Sequence, residues 1–337
     1  MRICLIAKNL DLRSGGVARV PLELKRGLEK RGHKVDIITS NIKGSVGYLA
    51  HITAGIPLHL MGKKYDIVHA ITPMESLWVS KEKGVVTFLD FMMLNNWQDI
   101  DAGLDKNWKK GFGVGLFSFM ASWASKFNKI VCISEETKQD LIRLYKVKED
   151  KVKVIRLGIN EDLGPQPKLR DGLTIGYLGQ VDKRKRVDYL ITAFLSTSLD
   201  ATLLIGGEGS LRKQFVNRSP RIYLPGFIPE NMLCIFYNSL DVFIFPSKVE
   251  GYGLPIVEAM ACKKPVVVLE DAIIPKDLKE RCILVPSLRG FFKDKERITN
   301  LKGEIDIEGN YKFAKEHSWE KCAQEYEEVY REMKDGR

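Results

Sequence analysis

Short apolar runs rich in β-branched residues recur along the chain and are separated by longer mixed segments. Continuous apolar runs of this length are typical of buried strands in parallel sheets. The linker 163–168 separates two series of such runs, because its two prolines and one glycine interrupt regular structure. The predicted strands are 3–7, 35–39, 67–70, 85–89, 130–133 and 152–155 before the linker, and 173–178, 202–205, 222–224, 242–245, 265–269 and 283–285 after it.

Segments between these runs carry a helical pattern. Val17, Val20, Leu24 and Leu28 have helical spacing between the first two strands, with charged residues on the other faces. The tail from 311 to 333 is also helical in pattern. Strands that alternate with helices predict the α/β class, with two doubly wound Rossmann-like domains facing a cleft. We expect an N-terminal domain at 1–163, a C-terminal domain at 164–310 and a C-terminal helix at 311–337 that packs back on the domains.

Composition agrees with two domains and a cytosolic location. The 337 residues exceed the size at which single cores stop growing, and 45% apolar with 28% charged residues is ordinary for a globular protein. The six cysteines are scattered, without the close pairs of a zinc site or a disulfide framework. The opening apolar run is interrupted at Lys8, which is too early for a secretory signal. We interpret His33, His69 and His317 as structural residues and predict no metal ligand among them.

The net charge of +10 is compatible with nucleic acid, an anionic membrane surface or acidic small substrates. The aromatic residues lie mostly inside apolar runs, and no array of basic and aromatic residues for stacking bases is present. Nucleic acid is therefore the least favoured partner.

Ligands of open parallel sheets bind beyond the carboxyl ends of the strands. The strand that ends at Phe245 leads into two glycines, a proline and two glutamates, Glu250 and Glu258. The glycines permit a tight turn, and the free amides of Gly253 and Leu254 at the start of a helix suit phosphate oxygens. Glu258 can accept both hydroxyls of a ribose, while Glu250 can reach a sugar beyond the phosphates. The alternative, that both are ordinary exposed acids, is less favoured in an otherwise apolar helix.

A second candidate is the run of four cations at Lys183–Arg186, which follows the strand 173–178. Such runs are more often solvated faces, but a position at the carboxyl end of a strand favours binding of a diphosphate. Ser14, Gly15 and Gly16 after the first strand, and the glycines of 206–209, are weaker signals of the same kind.

These stretches, in this order, resemble the family-four retaining glycosyltransferases of the GT-B fold, also described as glycosyl transferases group 1. The resemblance covers nearly the whole chain. Its most specific part is the pair of glutamates, Glu250 and Glu258, separated by seven residues. The other matching stretches are Gly15–Gly16, Arg31–Val35, Asp66–Ala70, Val131–Glu135, Tyr177–Gly179, Asp188–Phe194, Pro225–Phe227 and Ser318–Glu320.

The resemblance implies a hexosyltransferase that moves a sugar from a nucleoside diphosphate donor with retention of configuration. It implies no essential metal and no other cofactor. Glu258 would hold the ribose, Glu250 the donor sugar and Lys185 the diphosphate, with acceptor contacts from the N-terminal domain. The catalytic candidates are Glu250 and Asp90, and the donor-binding candidates are Gly15, Gly16, Gln180, Arg184, Lys185, Phe227, Ile228, Gly253, Leu254 and Glu258. Asp99–Asp101 looks like the metal-binding pair of another glycosyltransferase fold, but we interpret it as an acidic loop.

Four positions depart from the family pattern. Gln180 replaces a frequent arginine, so Arg184 or Arg186 would supply that charge. Leu89 precedes Asp90 where many relatives have a histidine near the reacting sugar. Lys263 replaces a frequent glycine, and 270–277 lacks a glycine-rich turn. These departures keep open an alternative function, a catalytically weak protein that binds nucleotide sugars or serves as a scaffold. A dehydrogenase that uses NAD is excluded, because neither domain has a complete G-x-G-x-x-G after its first strand.

The segment 106–129 bears on the acceptor. Five lysines and no acids flank the uncharged run 111–125, which is too short to span a bilayer. The favoured interpretation is a core helix before the strand at 130. Alternatively, the segment lies on an anionic membrane surface, with Lys109 and Lys110 at the headgroups. The protein would then be peripheral on the inner face of the membrane, and the acceptor would be a lipid or a lipid-linked glycan.

Overall fold

The computed structural model describes residues 1–14, 16–40, 44–91, 94, 108–168 and 171–335. These residues form two compact units. The first unit contains the described residues up to Gly158 and the terminal segment that begins at Trp319, and the second unit runs from Ile159 to Ser318. The predicted linker at 163–168 lies within the second unit in this division.

The first unit is built on a six-stranded parallel sheet in the order β2-β1-β3-β4-β5-β6. Strand β4 is buried along its whole length. Continuous burial of this kind is typical of apolar strands in a parallel sheet that is covered on both faces. Its strands are β1 Arg2–Ile6, β2 Lys34–Ile38, β3 Ile67–Ala70, β4 Gly84–Phe88, β5 Lys129–Cys132 and β6 Val152–Val154. Its helices before β6 are α1 Arg19–Lys30, α2 Gly44–Ala50, the π-helical turn His51–Gly55, α3 Ile56–Leu60, α4 Trp108–Ala124 and α5 Glu135–Tyr145.

The second unit repeats the plan with a parallel sheet in the order β12-β11-β10-β7-β8-β9. Its strands are β7 Thr174–Leu178, β8 Thr202–Gly206, β9 Ile222–Gly226, β10 Val242–Phe245, β11 Val266–Leu269 and β12 Ile283–Val285. Its helices are α6 Val187–Leu195, α7 Arg212–Phe215, α8 Leu233–Asn238, α9 Leu254–Ala261, α10 Lys276–Lys279, α11 Leu288–Lys293, α12 Lys295–Asn300 and α13 Ile307–Lys315. All the predicted strands are present, and the prediction of two doubly wound Rossmann-like domains is confirmed.

The strand order reverses once in each sheet, and each reversal defines a switch point. The chain runs from β1 outward to β2 and then returns to place β3 on the other side of β1. In the second unit it runs from β7 to β9 and returns to place β10 beside β7. Ligands of doubly wound folds bind outside the carboxyl ends of the strands at such a point. The loops after β1 and β3, and those after β7 and β10, therefore occupy the two most favourable places for a site.

The tail differs from the single helix predicted over 311–333. Helix α13 ends at Lys315, and α14 spans Trp319–Asp335. Between them, the Ile159 N–H donates to the His317 carbonyl at 2.8 Å, and Ile159 forms an isolated parallel bridge with Ser318. The backbone at this point therefore pairs with another segment instead of continuing the helix.

Helix α14 is fixed to the first unit by buried polar contacts. The His69 ring lies 2.7 Å from the Tyr330 hydroxyl through Nδ1 and 2.8 Å from the Thr87 hydroxyl through Nε2. Glu327 is only 3% exposed and accepts hydrogen bonds from Arg31 and Arg331. Both ring nitrogens of His69 are thus satisfied by protein hydroxyls, as expected of a structural histidine.

Lys263 shows why glycine suits its position. Its φ of 55° lies in the left-handed region, which non-glycine residues adopt at a cost. Its ammonium forms an ion pair with Glu308 at 2.6 Å and lies 4.9 Å from the centre of the Tyr311 ring. The lysine therefore keeps the turn that glycine would make and adds contacts to α13.

Candidate functional site

The switch point of the second unit brings together two predicted residues from distant parts of the sequence. Lys185 lies in the loop after β7 and Glu250 in the loop after β10. The Lys185 ammonium donates to Oε1 of Glu250, and each side chain is 12% exposed. The buried Ser247 hydroxyl donates to the same carboxylate oxygen. The site therefore holds a largely buried ion pair where the strand order reverses.

The predicted glycine turn and helix lie immediately beyond Glu250. Gly253 has a φ of 105°, a conformation that side chains disfavour, and α9 begins at the next residue. Pro255 stands in the first turn, where its missing N–H leaves no helical bond unmade. The start of α9 thus has the form predicted for a phosphate-binding helix terminus.

Glu258 lies one turn into α9 and is only 2% exposed. The Tyr237 hydroxyl, from α8, donates to its Oε2 at 2.7 Å. A glutamate in this setting is not the exposed helical acid of the alternative interpretation. Burying a carboxylate is costly unless it is hydrogen-bonded, and Tyr237 both offsets that cost and fixes the direction of the side chain.

The four cations of 183–186 have different surroundings. Arg186 forms a two-point ion pair with Asp271 at 2.7 and 2.6 Å, and hydrogen bonds from Arg186 lower the pKa of that carboxyl. Arg184 donates to the Gln180 side chain at 3.2 Å. Its buried Nη1 has no hydrogen-bond partner within the part of the chain that the structure describes. Arg184 is therefore better placed than Arg186 to supply the charge that Gln180 lacks.

A cavity of about 540 Å³ opens on the Arg186 side of this run, within the size range of small-molecule sites. Its lining is Lys183, Arg186, Asp188, Tyr189, Leu269, Asp271 and Pro286. The basic run thus divides, with Lys183 and Arg186 beside the cavity and Lys185 turned to Glu250.

Close packing between two loops explains the glycines of 206–209. A side chain on Gly207, whose φ is 127°, would meet the Gly179 carbonyl oxygen at 1.8 Å. They allow the loop after β8 to pack against the loop after β7. Nearby, the Phe227 N–H donates to the Glu208 carboxylate at 3.3 Å. Phe227 and Ile228, both predicted to bind the donor, are partly buried just beyond the carboxyl end of β9.

In the first unit, Gly16 begins a short 3-10 turn before α1, and Gly15 lies outside the described residues. Asp90 is partly buried just after β4, and Leu89 before it is 8% exposed. The acidic loop 99–101 also lies outside the described residues.

Sequence reasoning missed Tyr237 and Ser247. Ser247 stands three residues before Glu250, but its role appears only when the loop folds back on itself. Tyr237 lies on another helix, and nothing in its local sequence indicates a contact with Glu258. Within the described ranges, no group of three or more histidine, cysteine, aspartate or glutamate residues could hold a metal ion. No helix in those ranges is both long and apolar enough to cross a membrane.

Comparison with known proteins identifies the family. Residues 172–293 match the family described as Glycosyl transferases group 1, and residues 14–163 match Glycosyltransferase Family 4. An uncharacterized glycosyltransferase of Methanocaldococcus jannaschii is 27% identical, over 75% of this chain and 76% of its own length. The O-antigen chain mannosyltransferase B of Escherichia coli is 27% identical over 60% of each chain.

Solved structures agree on the fold. Sucrose-phosphate synthase from Thermosynechococcus elongatus superposes with a TM-score of 0.78 over 100% of both chains, at 18% sequence identity. Together with the two family matches, which cover most of both sheets, this establishes the GT-B fold. The chain belongs to the group 1 glycosyltransferases and is a glycosyltransferase enzyme.

Proposed function

We propose that this enzyme transfers a sugar from a nucleoside diphosphate donor, with retention of configuration, to a glycan or lipid-linked acceptor. Glu258 binds the ribose, Glu250 the donor sugar, and Lys185 with Arg184 the diphosphate. The observation that carries the proposal is the contact of Lys185 with Glu250 at the switch point, directly before the phosphate-suited start of α9.

Donor binding exchanges partners within this site. Without donor, Lys185 is neutralised by Glu250. A diphosphate carries more negative charge than one carboxylate, so the ammonium moves to the phosphate oxygens. The Glu250 carboxylate is then released to accept hydrogen bonds from sugar hydroxyls. The ion pair thus keeps both groups oriented and partly desolvated until the donor arrives.

Catalysis follows from where charge develops. As the bond between sugar and diphosphate breaks, negative charge grows on the diphosphate and positive charge on the sugar ring. Lys185, Arg184 and the N–H groups of Gly253 and Leu254 stabilise the former. The Glu250 carboxylate holds the sugar and favours the latter. Asp90 contributes a carboxylate from the acceptor-side domain, Gly16 allows close approach of the donor, and the base lies near Phe227 and Ile228.

No metal is required in this scheme, because protein cations take its place. In metal-dependent transferases a divalent ion neutralises the departing diphosphate. Here two side-chain cations and a helix terminus do so. Transfer rates are therefore expected to be the same with a chelator as with added Mg²⁺ or Mn²⁺.

The acceptor part of the proposal involves α4. Met120, Ala121 and Ala124 are buried in the core of the first unit, as a core helix requires, whereas Phe119 is 60% exposed. The case for contact with a membrane therefore depends on Phe119 and the flanking lysines. Co-sedimentation with anionic vesicles tests it. Binding should weaken with salt and fall when Lys109 and Lys110 are replaced by glutamine.

A donor panel tests the proposed function. Binding of a nucleoside diphosphate sugar should raise the melting temperature with the logarithm of its concentration, and an acceptor should accelerate release of the nucleoside diphosphate. Saturable binding without release above background, with every acceptor tried, would instead support the catalytically weak scaffold.

A further inference from the structure

The switch point of the first unit carries a polar cluster that the proposed donor site does not use. Lys8 lies in the loop after β1, and Thr72 and Glu75 lie in the loop after β3. Tyr48, from α2 after β2, reaches the same cluster. These side chains therefore follow three neighbouring strands and lie beyond the carboxyl ends of those strands, where ligands of doubly wound folds bind.

Glu75 is the centre of this cluster and is completely buried. The Tyr48 hydroxyl donates to its Oε1, and the Thr72 hydroxyl donates to its Oε2. Burial raises the pKa of Glu75, and these two hydrogen bonds act in the opposite direction. Burying a carboxyl group costs free energy, and buried carboxyl groups are usually found in ion pairs. Glu75 instead lies beyond the carboxyl ends of the strands and is held by two hydroxyl groups. Its contacts fix the position and orientation of Tyr48.

Lys8 is exposed, and its ammonium lies 5.1 Å from the centre of the Tyr48 ring. Within the ranges that the structure describes, it has no carboxylate partner at ion-pair distance. The aromatic ring attracts the ammonium without neutralising its charge. The cluster therefore presents an exposed cation at the switch point. The Tyr48 ring lies against this cation, and Glu75 holds the Tyr48 hydroxyl.

We propose that Lys8 binds a phosphate group of the acceptor, with Tyr48 and Glu75 as positioning residues. This inference deepens the proposed function and rests on it. The group that Lys8 would bind is a phosphate ester. Either a soluble glycosyl phosphate or a lipid-linked glycosyl phosphate carries such a group. The net charge of +10 favours such acidic substrates.

The test compares each accepting sugar as its neutral methyl glycoside and as its glycosyl 1-phosphate. The parent enzyme should have a KM at least roughly tenfold lower for the phosphate, as one charge-assisted contact provides. Lys8→Gln should abolish this preference, and Lys8→Arg should restore most of it. Lys64→Gln is the matched control, because it removes the charge of another exposed lysine of the first unit. A parent without the preference, or a Lys8→Gln variant that retains it, overturns the proposal.

The positioning residues are tested by the same ratio. Tyr48→Phe removes one donor to Glu75 but keeps the ring, and Glu75→Gln replaces one carboxyl oxygen that accepts a hydrogen bond by an amide nitrogen. Both should raise the KM for the phosphate acceptor more than they lower kcat. Equal loss with the neutral and the phosphorylated acceptor would mean a purely structural role. If Glu75→Gln does not fold, Tyr48→Phe alone decides this point.

A binding measurement separates this proposal from the donor assignment. The protein is first saturated with nucleoside diphosphate, and the thermal shift caused by added glycosyl 1-phosphate is then recorded. The parent should show a shift that Lys8→Gln loses and Lys64→Gln keeps. A Lys8→Gln variant that instead weakens binding of the donor would place Lys8 at the donor and overturn the inference. Absence of nucleoside diphosphate binding in the parent would count against the proposed function alone. Presenting the same glycosyl phosphate on a prenyl lipid in vesicles distinguishes the two sources, since only a lipid-linked acceptor should gain from the vesicle.

Discussion

The two units contain the same reversal of strand order, but their switch points hold charge differently. In the second unit, a cation from the loop after β7 contacts a carboxylate from the loop after β10, in the pair Lys185–Glu250. In the first unit, Tyr48 contacts both groups, because the centre of its ring lies 5.1 Å from the Lys8 ammonium and its hydroxyl donates to Glu75. A ligand that binds Lys185 would have to displace Glu250, whereas Lys8 forms no ion pair with the carboxylates that the structure describes. The same topology thus gives one switch point whose cation is held by a carboxylate and one whose cation lies over an aromatic ring.

The largest effect is expected from the buried glutamate of the second switch point. Glu258→Ala should weaken binding of nucleoside and nucleotide alike by about 3 kcal/mol, because two charge-assisted hydrogen bonds to ribose are lost. Calorimetry measures this difference. Glu327→Gln is the matched control, since Glu327 is equally buried but lies in the first unit. It should lower stability and leave donor affinity unchanged. Equal loss of affinity in both variants would mean that Glu258 acts through folding.

Glu250→Gln tests the exchange of partners. Turnover should fall about a hundredfold, which corresponds to about 2.7 kcal/mol, because the carboxylate no longer favours the charged sugar. Affinity for nucleoside diphosphate should stay the same or rise, because Lys185 no longer has to leave a carboxylate. Glu308→Gln, which breaks the Lys263–Glu308 pair of the same unit, should change neither quantity. Weaker binding of nucleoside diphosphate by Glu250→Gln would contradict the exchange.

Lys185→Ala should cost the donor and free nucleoside diphosphate similar binding energy, about 2 kcal/mol, because both carry the same two phosphates. Titration of the parent and the variant with both ligands measures this cost, with Lys263→Ala as the control. The expectation loses its basis if the parent binds nucleoside as tightly as nucleoside diphosphate.

The sequence predicted the strands well and the contacts between loops poorly, for one physical reason. Strands such as Val242–Phe245 coincide with local runs of apolar residues, so the sequence predicted this strand with the same first and last residues as the structure. The meeting of Lys185 with Glu250 depends on β10 lying beside β7, which local pattern does not specify. The burial of Glu258 likewise depends on Tyr237 from α8, and the break before α14 depends on the pairing of Ser318 with Ile159. Candidate residue types for the site could therefore be proposed from the sequence, whereas their contact partners could not.

The smallest effect concerns the other buried polar network of the first unit, and it tests whether that network is structural. Burial lowers the pKa of His69 to about 3. The unfolded chain takes up a proton on this histidine near pH 6.5, whereas the folded protein does not until about pH 3. The unfolded state therefore binds more protons in this window, and stability falls as pH decreases through it. At pH 5.5, one unit below the pKa of the unfolded histidine, the free energy of unfolding should therefore be about 1.4 kcal/mol lower than at neutral pH.

His69→Gln removes this titration, so the difference in free energy of unfolding between parent and variant should shrink from pH 7.5 to pH 5.5. Thermal melts of both proteins across this range measure it. Parallel curves would mean that His69 already binds a proton in the fold, and the hydroxyls of Tyr330 and Thr87 would then both have to accept from its ring.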